Sequence, residues 1–280
     1  MSATNITIRE STSTPRTKPH PQKSSIPVPF DYCPSDDGTD ENLLILLHGL
    51  GDTHVPFGRL GRSFKLPQTA TLALRAPDPL PYLEEEAYEW YTSFNLLGEL
   101  VRNPNPTPAV DLLMRVFAHL TTDSSWPPNR IHMFGFAQGG TVAAEVGIKW
   151  WRTELERLSK DKKDKAGETS EDTKANEPSL LGSIVSVCGP LISYPTLQNL
   201  CPTPILILHR PAPAETALPS GALSAFKKGY SNITDLQMGR GEGMPRSRTE
   251  WEPIMRFWSE RLGKRQMDGL YEVMSGITPA

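Results

Sequence analysis

The chain has 280 residues, 38% of them apolar, which is enough for one large core of the α/β type plus tails. Its formal net charge of -3 supplies no field toward nucleic acid or an anionic membrane, so a nucleic-acid partner is not expected. Cys33, Cys188 and Cys201 stand far apart with no C-x-x-C pair, and no two histidines have a ligand-like spacing, so free thiols and neither metal nor other cofactor are expected.

Residues 1–25 carry ten Ser or Thr, four Lys or Arg and one acid, a composition that predicts a disordered tail. The opening MSATNITIRE lacks an apolar h-region and no later run approaches the length of a membrane span, so no transmembrane segment is expected and the expected location is cytoplasmic. One domain is expected over residues 26–262. Leu43-Leu44-Ile45-Leu46-Leu47 predicts a strand buried on both faces, ending in His48-Gly49-Leu50-Gly51-Asp52. Ala70 to Arg75 predicts a second strand, stopped by Pro77 and Pro79. From Asp111 to Leu120 the apolar positions Leu112, Leu113, Val116, Phe117 and Leu120 repeat at helical spacing.

Arg130 to Phe136 predicts the next strand, and Thr141 to about Leu158 a helix with Val142, Ala143, Val146 and Trp150 on its buried face. Residues 152–178, with seven positive and eight negative side chains, predict a solvated insertion that leaves the helix. Ser183–Val187 and Pro204–Leu208 predict two more strands, Glu252–Leu262 a last helix, and residues 263–280 a C-terminal tail. Strands alternating with helices imply a mainly parallel central sheet with helices on both faces.

Two motifs sit on this frame. Gly135-Phe136-Ala137-Gln138-Gly139-Gly140 has the glycines of a G-x-S-x-G nucleophile elbow with alanine in the serine position. The segment PPNRIHMFGFAQGGTVAAEVG resembles the P-x-x-R-I-x-x-x-G-F-S-Q-G-G block of the phospholipase/carboxylesterase family of α/β-hydrolases, which includes the acyl-protein thioesterases. LLILLHGLGDT resembles that family's L-H-G-L-G-D oxyanion loop, and Arg75-Ala76-Pro77, Glu89-Trp90-Tyr91 and Pro204 to His209 resemble further pieces of it. The likeness covers about residues 41–148 and 180–262.

The resemblance implies an α/β-hydrolase fold with elbow glycines Gly135, Gly139 and Gly140, an oxyanion loop of His48, Gly49, Gly51 and Asp52, and backbone N–H donors from Leu50 and Gln138. It also implies ester or thioester hydrolysis, which needs a nucleophile, an acid after the penultimate strand and a late histidine. The corresponding positions hold Ala137, Pro213 and Met244, and no histidine follows residue 209. The expectation is therefore a non-catalytic member acting as a binding or scaffold protein, with a protein or an acyl-type ligand as partner. The alternative is an ester or acyl-thioester hydrolase with a relocated site, for example Cys188, Ser186 or Tyr91 with His48 or His54. His48 and Asp52 also have a structural reading, as residues that fix the loop by local hydrogen bonds.

Overall fold

The structure, a computed structural model, describes residues 17–80, 85–95, 97–164 and 177–264. Seven strands form one sheet: β1 (Phe30–Cys33), β2 (Asn42–Leu47), β3 (Thr69–Leu74), β6 (Ile131–Phe136), β7 (Ser183–Val187), β8 (Ile205–His209) and β9 (Ile233–Gln237). Their spatial order is β1-β3-β2-β6-β7-β8-β9, and only β1 runs antiparallel to its neighbour. Two-residue strands β4 (Asp78–Pro79) and β5 (Tyr88–Glu89) pair beside it. The helices are α1 (His54–Ser63), α2 (Thr107–Thr122), α3 (Gln138–Asp164), α4 (Ala222–Gly229) and α5 (Arg248–Ser259). Among the described residues no helix is long and apolar enough to cross a membrane.

The continuous apolar run of β2 follows from burial on both sides. Leu43, Ile45 and Leu47 face the core shared with α2 and α3, while Leu44 and Leu46 face the core shared with Phe57 of α1 and Trp258 of α5. The expected parallel sheet with helices on both faces is the observed α/β-hydrolase architecture.

Several expected boundaries shift. Residues 17–25, expected in a disordered tail, lie against the domain: the Lys18 ammonium donates to Ser125 O (2.8 Å), and the Gln22 amide donates to His119 Nε2 (3.0 Å). Residues 1–16 lie outside the described residues. The helix expected from Thr141 starts three residues earlier and runs through the expected insertion as far as Asp164, beyond which residues 165–176 are outside the description. At the other end the domain extends past 262, because Gly263 exchanges two hydrogen bonds with the Asn42 side chain (2.8 and 2.9 Å); residues 265–280 lie outside the description.

Elements without a strong sequence signal are α1, α4, β1 and β9. Helix α1 contains Pro56, Gly58 and Gly61, which lower its intrinsic propensity, yet Gly61 brings the helix onto Leu46 and Thr71 where a methyl group would collide. Edge strand β9 is largely exposed and so lacks apolar alternation.

Candidate active-site elbow and its flanking loops

Ala137 joins β6 to α3 in the left-handed region, with φ of 48°. That conformation costs a residue with a Cβ roughly 1–2 kcal/mol, so the surroundings must hold it. They do so through the Ala137 amide donating to Val187 O (2.8 Å) and the Ala137 carbonyl accepting from Thr141 N (3.0 Å). Glycines let the strand and helix meet. A methyl group on Gly135 would overlap the Gly139 carbonyl, one on Gly139 would overlap the Leu47 and His48 carbonyls, and Gly140 lies against Ser186 Oγ.

The loop after β2 is fixed by His48. Its Nε2 accepts from the Ala76 amide (2.9 Å), so Nδ1 carries the proton toward Gly49 O (2.7 Å), and its carbonyl accepts from Trp90 Nε1 (2.9 Å). Burial lowers the imidazole to about 4, against smaller opposing effects of Gly49 O and Asp52, so the ring is neutral. Gly51, with φ of 82°, donates to Tyr88 O (3.0 Å), and Asp52 Oδ1 accepts from the Thr53 amide (2.7 Å). Leu50, between them, is partly exposed.

Gln138 opens α3, where the first N–H groups of a helix have no preceding turn to accept them. Its buried side chain faces the other way: Oε1 accepts from Trp90 N (2.8 Å), and Nε2 donates to Tyr91 O (2.8 Å) and Ser93 Oγ (2.7 Å). The glutamine thus clamps the segment resembling the family's W-F-D to the elbow, a role its place in the motif did not disclose.

The loops where the resemblance places acid and base are joined by Arg210, which follows β8 and is buried. Its guanidinium pairs with Glu250 of α5 and donates to the carbonyls of Gly239 (3.0 Å), Gly243 (3.1 Å) and Met244 (2.8 Å). Glu242 accepts from Glu215 N (3.1 Å) and Thr216 N (3.3 Å), while Thr216 Oγ1 accepts from Gly243 N (2.9 Å). Pro213 lies within this zipped pair of loops, and the Met244 side chain packs with Phe136 against the α5-side core. The ring of Phe136 also reaches Gly49 and Gly243. Arg210 and Glu250 were not among the residues singled out from sequence. A lone Arg following a strand carries no motif, and only folding brings it to a glutamate 40 positions away.

The other histidines have separate surroundings. His132 Nδ1 bonds to Ser183 Oγ (2.8 Å) between β6 and β7, and His119 Nδ1 pairs with Asp123 (2.6 Å) on α2. His54 begins α1 beside residues 23–30, and His209 ends β8 opposite Gln237. Of the alternative nucleophiles, Ser186 Oγ donates to Gly189 O (2.9 Å), and burial pushes the Tyr91 phenol up to about 12. Cys188 follows β7 with φ of 57°, and burial raises its thiol despite lowering by the Arg210 amide and the Thr216 hydroxyl. Among the described residues no group of three or more His, Cys, Asp or Glu is arranged to hold a metal ion.

A family model described as Phospholipase/Carboxylesterase matches residues 33–153. An uncharacterized hydrolase of Mycosarcoma maydis is 38% identical over 236 residues, covering 82% of this chain and 80% of the relative. An uncharacterized hydrolase of Schizosaccharomyces pombe is 32% identical over 114 residues, or 38% of this chain and 47% of that one. Among solved structures, esterase PE8 has a TM-score of 0.63 at 19% identity, covering 84% of this chain and 99% of its own. Acyl-protein thioesterase 2 of Zea mays has a TM-score of 0.59 at 19% identity, covering 84% and 100%. At such identities these two structures share the fold.

Proposed function

The chain belongs to the phospholipase/carboxylesterase family of α/β-hydrolases, and from that premise we propose that it is a binding member that does not hydrolyse esters. It keeps the elbow and the oxyanion loop as a receptor for a carbonyl or carboxylate of an acyl-type ligand or of a protein. The observation that carries this reading is the joining of the two loops beside the elbow. Arg210 and Glu250 lock together the loops that would supply acid and base; neither loop holds a histidine, Pro213 and Met244 stand at the two positions, and Glu215 is the nearby carboxylate. Ala137 has no oxygen to attack with, and loss of a triad nucleophile lowers turnover by about 10⁶. The backbone donors survive that loss, since they depend only on the turn.

The reading is tested by assaying the purified protein with p-nitrophenyl butyrate and a palmitoyl thioester. Rates at the solvent background are expected, together with no labelling by a fluorophosphonate. Turnover of either substrate well above a cleft-blocked control overturns it. One observation favours a relocated nucleophile: Cys188 shares the left-handed backbone of Ala137 one strand away. Against it, the thiol is buried with a raised pKa and has no imidazole among its hydrogen-bond partners, whereas a nucleophilic cysteine needs its thiolate. Labelling of Cys188 by iodoacetamide at neutral pH, with loss of turnover, would favour that second reading.

A further inference from the structure

Residues 17–25 form a strap against the C-terminal end of α2, and Pro19 and Pro21 remove two of the backbone donors that could tie it down. Lys18 anchors one end, its amide donating to Asp40 Oδ2 (2.9 Å) and its ammonium to Ser125 O (2.8 Å). Ile26 and Val28, packed in the core, anchor the other. Between these anchors, among the described residues, the strap makes a single hydrogen bond to the rest of the domain: the Gln22 amide donates to His119 Nε2 (3.0 Å). Pro21, next to it, is buried.

That bond exists in one protonation state of the ring. The His119 side chain is 4% exposed, and its Nδ1 lies 2.6 Å from Asp123 Oδ2. A carboxylate only accepts and an amide N–H only donates, so Nδ1 carries the proton and Nε2 offers its lone pair to Gln22. A second proton on Nε2 would set N–H against N–H and break the strap's bond, whereas the imidazolium keeps a charge-assisted bond to Asp123. Other charged or titratable groups surround this contact on each element. They are Arg115, one helical turn before His119 on α2; Lys18, His20 and Lys23 on the strap; Asp40, which holds Lys18; and Tyr32 of β1, whose ring meets His20 edge-on at 4.9 Å. Asp123 is the one that contacts the ring, and it favours the cation.

We propose that His119 is a proton-operated latch: neutral, it holds residues 19–25 on α2, and protonated at both nitrogens it turns wholly to Asp123 and releases them. The latch stands apart from the elbow, so it holds or fails independently of ester hydrolysis.

The test follows the full chain from about pH 8 to about pH 5, the range in which histidine changes charge. Amide exchange, corrected for its intrinsic pH dependence, and proton–nitrogen NOEs are read together. Protection of the Gln22 amide should fall about tenfold on acidification, the upper end for one lost hydrogen bond. NOEs of residues 20 and 22–25 should fall with it, while β2 and β6 stay unchanged. His119→Gln keeps an uncharged acceptor, so its strap should stay bound at both ends of the range. His20→Gln should leave the transition in place. If His119→Gln fails to fold, Asp123→Asn changes a half-exposed side chain and removes the counter-charge, so release should move roughly a few tenths of a pH unit lower. Constant protection across the range, an equal fall in His119→Gln, loss of the transition in His20→Gln, or an unmoved midpoint in Asp123→Asn overturns the proposal.

Discussion

Arg210, buried just after β8, and Glu250 in α5, partly buried, form a two-pronged ion pair whose longer contact is 3.1 Å, and the same guanidinium caps three loop carbonyls. Removing Arg210 leaves three loop carbonyls without that donor, at about 1–3 kcal/mol for each buried group left unpaired, and a carboxylate that water can partly reach. Arg210→Met should therefore lower the urea-unfolding free energy by that order, and a loss under about 1 kcal/mol would show that the loops do not depend on it.

The same pair predicts acid sensitivity. Hydrogen bonding from Arg210 holds Glu250 below the usual carboxylate range. A depressed carboxylate contributes stability that is present above its unfolded pKa, about 4.3, and that is lost as the pH falls through the lower folded value. In Arg210→Met this low-pH component should shrink, as read from unfolding free energies between neutral pH and about pH 3.

Two buried histidines act at higher pH. Burial lowers His48 to about 4 and His132 to about 3, while unfolding returns each toward about 6.5. The unfolded chain then binds more protons below about pH 6.5, so stability should fall on acidification from there toward pH 4, at up to about 1.4 kcal/mol per pH unit for each ring. His132→Gln should remove one ring's share of that slope. An unchanged slope would mean that His132 is already protonated in the folded protein.

Much of this organisation was legible in the sequence because it lies in local pattern. β2, β3, β6, β7 and β8 are apolar runs buried on two faces, and the elbow glycines have fixed spacing in one short segment. What stayed hidden depends on distant partners. The docking of residues 17–25 rests on His119 accepting from Gln22, 97 positions away, and no composition rule foretells that contact. The zipped loops are similar: the sequence reading singled out Pro213 and Met244 there, whereas Arg210 and Glu250, which organise the region, belong to no motif.

The left-handed backbone at residue 137 gives a prediction independent of activity. Glycine adopts φ near 48° without the Cβ penalty but loses more entropy on folding, so Ala137→Gly should be stabilising by about 0.5–1 kcal/mol. Ala137→Ser keeps the strain and adds a hydroxyl that the proposed reading leaves without a base. It should leave esterase turnover at background, and a large gain would mean that an imidazole reaches the elbow after all.

Gln138 connects elbow geometry to the facing segment, because its amide group satisfies the Trp90 amide, the Tyr91 carbonyl and Ser93 Oγ at 2.7–2.8 Å. Truncation in Gln138→Ala leaves buried backbone groups unpaired, at about 1–3 kcal/mol for each stranded group. The loss should be local at first, since Trp90 keeps its own bond to His48 O (2.9 Å) while Tyr91 to Ser93 do not share it. Amide exchange at residues 90–93 should therefore accelerate more than exchange in β2 or β6. Uniform acceleration across all of these would place Gln138 in the global core and sever the proposed link between elbow and segment.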